Sequence, residues 1–172
     1  MNSKFKKITI LSLLTAVSLS LFAVELLIPP FAFAPSAKIG LANIVTLFML
    51  TNRCVFCASD CFKVLIARCL LAALITGRIA SILFSLTGGI IAVIGMFVII
   101  KLIDDKHAVL ISIIGAVFHN LGQMLAAFLI YGSFSILYYF PALFITGVLC
   151  GALTGLCVKT INKTKIISKL KY

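Results

Sequence analysis

An uncharged and strongly apolar stretch runs from Ala108 to Tyr131, and a short polar cluster interrupts it near its centre. A stretch of this length crosses the hydrocarbon core of a bilayer as a helix, which needs roughly 20 residues. The cluster reads His119-Asn120-Leu121-Gly122-Gln123, and an imidazole and two amides are costly at that depth. The sequence therefore predicts a membrane helix that holds a polar binding site.

The composition assigns the whole chain to the same class. Hydrophobic residues make up 63% of the 172 residues and charged residues 11%, and the mean hydropathy is +1.26. A water-soluble domain of this size cannot bury so much apolar surface. We therefore expect an all-α fold: one integral membrane domain over residues 1–172, a bundle of about six transmembrane helices.

The apolar segments predict where these helices lie. Pro29-Pro30 ends the first segment, because proline lacks an amide donor and clashes with the preceding turn. The proline-bearing residues 31–38 suit an interfacial loop, the next segment is short for a full span, and Gly88-Gly89 interrupts the fourth. The predicted segments are residues 8–28, 39–51, 54–76, 81–100, 108–131 and 136–158.

Basic residues collect before the first segment and after the last, at residues 4–7 and 159–171. The positive-inside rule then predicts a multi-pass plasma-membrane protein with both termini in the cytoplasm. The net charge of +11 is explained by this topology and by contact with anionic lipid, whereas no folded basic domain is present to bind nucleic acid. The long first apolar run lacks a small-x-small cleavage site and is interpreted as a retained helix.

Three cysteines, Cys54, Cys57 and Cys61, fall at i, i+3 and i+7, a spacing that places them on one face of a helix. Three thiolates and a fourth ligand can hold zinc, but the spacing lacks the paired knuckles of zinc motifs, and free cysteine commonly serves as a small apolar side chain. We predict no metal site and no cofactor, and we assign these cysteines no role.

Catalysis by this chain alone is not expected. A nucleotide-binding G-x-x-x-x-G-K-[ST] motif is missing, and so are the aspartate-rich segments with which a prenyl diphosphate synthase binds magnesium and diphosphate. The acidic residues are Glu25, Asp60, Asp104 and Asp105, and the first aspartate is spaced for a local ion pair with Lys63. At most, the chain is an accessory subunit of such an enzyme.

Two kinds of polar group remain as candidates for substrate binding: the uncharged cluster on the fifth helix and the charged residues Glu25 and Arg68. His119 and Gln123 share one helix face with Asn120 beside them, and either a ligand or a neighbouring helix can receive these groups. Glu25 either forms an ion pair with Lys38 or Arg78 or contacts the substrate. For Arg68, an anionic ligand group and Glu25 are both candidate partners.

Small residues repeat at every fourth position on two helices, a pattern that allows another helix to approach closely. On the first helix these residues form either a docking surface for a partner or an internal packing surface. On the last helix we expect packing within the bundle. The two stripes are Ser12, Ala16 and Ser20, and Gly147, Gly151 and Gly155.

Three ordered motifs resemble the Gx transporter family, whose members are also described as heptaprenyl diphosphate synthase component I. The likeness runs from Pro29 to about Leu156, and the motifs are PSAKIGLANIVTL from Pro35, SLTGG from Ser85 and HNLGQ from His119. That family is similar to the substrate-binding S components of energy-coupling factor transporters. Such S components are six-helix membrane proteins that bind a vitamin or similar small molecule and reorient against a coupling subunit driven by two ATPases.

The resemblance implies roles for particular residues. Lys38 and Asn43 would help to close the site, and His119, Asn120 and Gln123 would contribute to it from the fifth helix. The stripe on the first helix would dock on a transmembrane coupling subunit that works with ATPases. The rival interpretation is a non-catalytic component I that supports prenyl chain synthesis, and a third is a membrane scaffold whose polar cluster contacts a quinone or flavin.

Overall fold

The computed structural model describes residues 3–28, 40–103 and 107–164. Within these ranges the chain forms six α-helices and one 3-10 helix, and no strand, which confirms the predicted all-α class. The helices are α1 (Ser3–Leu26), α2 (Asn43–Thr51), α3 (Ala58–Thr76), α4 (Ala80–Ile103), α5 (Ala108–Tyr131) and α6 (Phe140–Lys163), with the 3-10 helix at Phe134–Tyr139.

Four of the described helices are long and apolar enough to cross a membrane. They are α1, α4, α5 and α6, the last counted together with the 3-10 helix before it. The other two differ for separate reasons. Helix α2 has 9 residues, about half of what a span requires. Helix α3 has 19 residues but carries three charged side chains, Asp60, Lys63 and Arg68.

The short helix α2 lies at the centre of the bundle. Every residue from Ile44 to Thr51 is buried, with Met49 fully inaccessible. Helix α2 contacts each of the other five helices, so it forms the core around which they pack. A helix that is apolar on all faces needs such an environment. The helix begins at Asn43, four residues later than the predicted segment.

Glycines bring α4, α5 and α6 into close contact. A Cβ added at Gly122 of α5 would lie 2.7 Å from Gly88 Cα of α4, and one at Gly151 of α6 would lie 2.6 Å from Ile113 Cα of α5. Gly155 meets α5 in the same way. The prediction that the glycine stripe of the last helix packs within the bundle is therefore confirmed.

Two predicted features were wrong. Gly88 and Gly89 do not interrupt the fourth segment, because α4 is continuous through them and the side chain of Leu65 packs where a Gly89 side chain would stand. Cys54 and Cys57 do not share a helix face with Cys61, because α3 begins at Ala58 and Cys57 is its N-cap. The last helix also starts later than predicted, after the 3-10 helix.

Side-chain contacts place several helix ends together at one end of the bundle. Asn52, which follows α2, donates a hydrogen bond to Asn162 near the end of α6 at 3.0 Å, and Lys7 of α1 forms a 2.7 Å ion pair with Asp60 in the first turn of α3. The start of α1 and the end of α6 therefore lie at the same end. The predicted 31–38 loop, the Asp104-Asp105 turn and the basic tail after Thr164 lie outside the described residues.

Candidate functional site

His119 and Gln123 occupy the face of α5 that packs against α4. A 3.1 Å hydrogen bond joins Gln123 Nε2 to His119 Nε2, and since an amide nitrogen only donates, the imidazole nitrogen accepts. Both side chains lie against the backbone of Gly88, where an added Cβ would be 3.0 Å from His119 Cε1 and from Gln123 Cγ. Both residues are half-buried, so each keeps part of its surface accessible.

Asn120 points to a different neighbour. Its Nδ2 donates a 2.7 Å hydrogen bond to the carbonyl oxygen of Leu143 in α6, and its side chain lies beside Gly147. Asn120 is buried. The three polar residues of the cluster therefore divide between two helix interfaces, and the contact that the structure describes for Asn120 is an interhelical one.

The start of α2 is held by polar groups of α1. Glu25 accepts hydrogen bonds from the backbone amides of Gly40 at 2.6 Å and Leu41 at 3.1 Å. Ser18 donates to the carbonyl of Ala42 at 3.1 Å. The carboxylate of Glu25 thus caps the chain that enters α2. Among the described residues Arg78 forms no ion pair with Glu25, and the other predicted partner, Lys38, lies outside them.

A small cavity of about 20 Å³ lies between α2, α4, α5 and α6. Its polar lining comes from Asn43, Ser112 and Thr154, and the hydroxyls of the last two are 2.7 Å apart in a hydrogen bond. The volume suffices for about one water molecule. Ala116, which also lines the cavity, precedes His119 by three residues, about 4.5 Å along α5, whereas His119 and Gln123 themselves do not line it.

Arg68 lies on the buried face of α3 and is only 7% exposed. The hydrogen bond described for its guanidinium runs from Nη2 to the Cys69 sulfur at 3.8 Å. Among the described residues no carboxylate forms an ion pair with it. The sequence suggested either Glu25 or an anionic ligand group as the partner of Arg68. Glu25 instead binds the backbone amides at the start of α2.

The small-residue stripe of α1 faces outward. Ser12, Ala16 and Ser20 are all exposed, so this stripe does not serve the internal packing that was its alternative interpretation. The Ser20 hydroxyl donates to the Ala16 carbonyl of its own helix, so its hydrogen bond is satisfied locally. The stripe is available to another helix within the membrane.

Exposed basic residues collect towards the end of the bundle where Asn52 meets Asn162. At the opposite end, Arg78 is the exposed basic residue that the structure describes. Asp60 is fully buried at the basic end, paired with Lys7 at 2.7 Å and with Lys63 at 3.8 Å, the second as predicted. The exposed residues at or near this end are Lys4, Arg53, Lys63, Lys101, Lys159 and Lys163.

A family model for heptaprenyl diphosphate synthase component I matches residues 14–161, from the first helix to the last. The chain belongs to the heptaprenyl diphosphate synthase component I family. No curated protein and no solved structure is detectably similar to it. The match includes all six helices at least in part, and it covers Glu25, Arg68 and the His119–Gln123 cluster, whereas Lys7 and Ser12 lie outside it.

Sequence reasoning missed the contacts that join distant segments. The Glu25 cap of the α2 entry, the Lys7–Asp60 pair and the Ser112–Thr154 hydrogen bond were not predicted. The sequence held a signal for the Ser112–Thr154 pair. Ser112 lies on the same helix as the His119 cluster, and Thr154 lies on the same helix as the glycine stripe. Lys7 and Asp60 carry opposite charges but lie 53 residues apart in the sequence, so no local pattern indicated that they form an ion pair.

Proposed function

We propose that this chain is a non-catalytic membrane component of a prenyl-chain-synthesising complex and that a separate chain performs the transfer reaction. The observation that carries the proposal is the family match over residues 14–161. A growing prenyl chain partitions into lipid because each buried methylene contributes about 0.8 kcal/mol. An integral membrane component is therefore a reasonable partner for a soluble synthase that handles such chains.

The acidic residues support an accessory role. A prenyl diphosphate synthase holds diphosphate and Mg²⁺, which binds through oxygen ligands, with paired aspartate-rich segments. The sequence has four acidic residues, and the two that the structure describes already have partners: Glu25 holds backbone amides, and Asp60 holds Lys7. Asp104 and Asp105 remain, which is too few for paired aspartate-rich segments.

The distribution of charge supports an orientation for the protein in the plasma membrane. The basic end of the bundle would face the cytoplasm, following the positive-inside rule, and both termini would lie there. A cytoplasmic synthase would then meet the end of the bundle that carries Arg53 and Lys101. The test is labelling of exposed Cys54, which lies next to Arg53, with a membrane-impermeant thiol reagent. Labelling only after permeabilisation is expected.

The decisive experiment combines purification with an activity assay. The protein is isolated from its native membrane in mild detergent, and the co-purifying chains are identified by mass spectrometry. The prenyl-transfer rate and product length of the recovered synthase are then measured with and without this chain. A change in either quantity supports the proposal. Recovery of no synthase, together with unchanged transfer by an added one, contradicts it.

A second candidate function is a substrate-binding subunit that works with a coupling subunit and ATPases to take up a small molecule. The exposed stripe of Ser12, Ala16 and Ser20 favours it, since small residues allow close helix docking. Recovery of ATPases in the same purification would favour this function. Ala16→Leu should then abolish co-purification, whereas Val17→Leu, on a neighbouring exposed face of α1, should preserve it.

A further inference from the structure

Arg68 places a permanent positive charge deep in the bundle. It lies ten residues after the start of α3 and eight before its end, about 15 Å and 12 Å along the helix axis. Only 7% of the residue is exposed. A guanidinium remains protonated at any physiological pH, so burial cannot neutralise this side chain as it neutralises a lysine.

The described residues supply no counter-ion for this charge. Both oxygens of Glu25 accept backbone hydrogen bonds, and Asp60 is paired with Lys7 and Lys63. The contact described for Arg68 itself is a 3.8 Å hydrogen bond to a neutral sulfur, that of Cys69. A buried charge without a partner costs several kcal/mol, and charged residues inside membrane bundles usually mark ligand or ion sites.

We infer that Arg68 binds the anionic head group of an amphiphilic ligand, a phosphate or diphosphate group attached to an apolar tail. The planar guanidinium donates two parallel hydrogen bonds to phosphate oxygens, which gives both affinity and orientation. Two apolar residues on the same face of α3 as Arg68, Leu71 and Ile75, are exposed and suit a tail better than a hydrated ion. The choice of a prenyl diphosphate as probe rests on the proposed function.

The test measures binding by the full-length chain in detergent, without a synthase. The probe is farnesyl diphosphate, and farnesol and inorganic pyrophosphate are each titrated separately. Wild type should bind farnesyl diphosphate, and Arg68→Gln should weaken that binding about tenfold or more, because a charge-assisted hydrogen-bonded pair is lost. The matched control is Arg78→Gln, which removes an exposed charge just after the same helix and should leave affinity unchanged.

Two further arms identify the source of the head group. Repeating the titration in nanodiscs of phosphatidylcholine and in nanodiscs containing phosphatidylglycerol shows whether an anionic phospholipid competes. Competition that Arg68→Gln removes assigns the site to lipid head groups, and absence of competition assigns it to a prenyl diphosphate. Both results support an anion site at Arg68. Equal affinity of Arg68→Gln and wild type for farnesyl diphosphate overturns it.

The inference stays testable if Arg68→Gln does not fold. Arg68→Lys keeps the charge but loses the planar donor pair, and it should fold and bind several-fold more weakly than wild type. If wild type is stabilised equally by farnesol and by farnesyl diphosphate in thermal unfolding, the inference fails whatever the variants do. Failure here leaves the proposed function intact, because prenyl transfer with the synthase is measured separately.

Discussion

Glu25 and Gly40 are joined by a 2.6 Å hydrogen bond from the Gly40 amide to the Glu25 carboxylate, which ties the last turns of α1 to the entry of α2. The contact is shielded, since Glu25 is buried. Gly40 has a backbone φ of 76°, a conformation that glycine adopts readily and other residues rarely do. One side chain thereby positions the helix around which the other helices pack.

Glu25→Ala should destabilise the protein by about 1–3 kcal/mol, because it removes the charged acceptor of two half-buried backbone amides. Glu25→Gln should fall between this variant and wild type, since its amide oxygen can still accept one bond. The chain has no tryptophan, so unfolding is best followed by the reactivity of its buried cysteines, Cys61, Cys69 and Cys150. Thr9→Ala, on the exposed surface of α1, is the control and should change little. An unchanged midpoint for Glu25→Ala would contradict the capping role.

Gly122→Ala should weaken the α4–α5 contact by about 1–3 kcal/mol. The added methyl group would meet Gly88 Cα and Thr87 O at 2.7 Å, and backbone atoms cannot rotate away. Gly89→Ala is the comparison, because its methyl group meets the flexible end of the Leu65 side chain, and a smaller loss is expected. Thermal unfolding followed by cysteine reactivity distinguishes the Gly122→Ala variant from the Gly89→Ala variant. Equal losses of stability in the two variants would show that movement of the Leu65 side chain does not relieve the contact at Gly89.

Lys7→Ala should destabilise the protein by about 1–3 kcal/mol, since it removes the nearer partner of a fully buried carboxylate. Lys63→Ala removes a second partner that is 68% exposed and 3.8 Å away, and it should cost less than about 0.5 kcal/mol. Thermal unfolding of both variants and of the double variant measures the difference. If Lys63→Ala has the larger effect, the assignment of the dominant ion pair is wrong.

The polar cluster of α5 should separate into two kinds of residue. Asn120→Ala removes an interhelical hydrogen bond to Leu143 and should lower stability by about 0.5–1.5 kcal/mol. His119→Ala and Gln123→Ala remove a bond within one helix and should affect ligand binding more than stability. Unfolding midpoints and farnesyl diphosphate titrations for the three single variants give the comparison. Intact binding in the triple variant would exclude the cluster as the ligand site.

Local sequence patterns predicted much of the fold. The bounds of α5 were predicted to the residue, because a long apolar run between a charged turn and Gly132 leaves few alternatives. The glycine stripe of α6 likewise predicted close packing, since glycines spaced four apart line one face of a helix. The candidate site was harder to predict from the sequence, because His119 and Asn120 are neighbours in the chain but contact different helices.

The sequence by itself determined that this chain is an all-α membrane protein and where its long apolar helices lie, because hydrophobic length and backbone hydrogen bonding are properties of each segment alone. Only the tertiary structure decided that the nine-residue α2 forms the centre, that Glu25 caps its entry and that Arg68 lacks a carboxylate partner among the described residues. These are relations between segments that are far apart in the chain. They depend on which helix faces meet, and no local pattern encodes that.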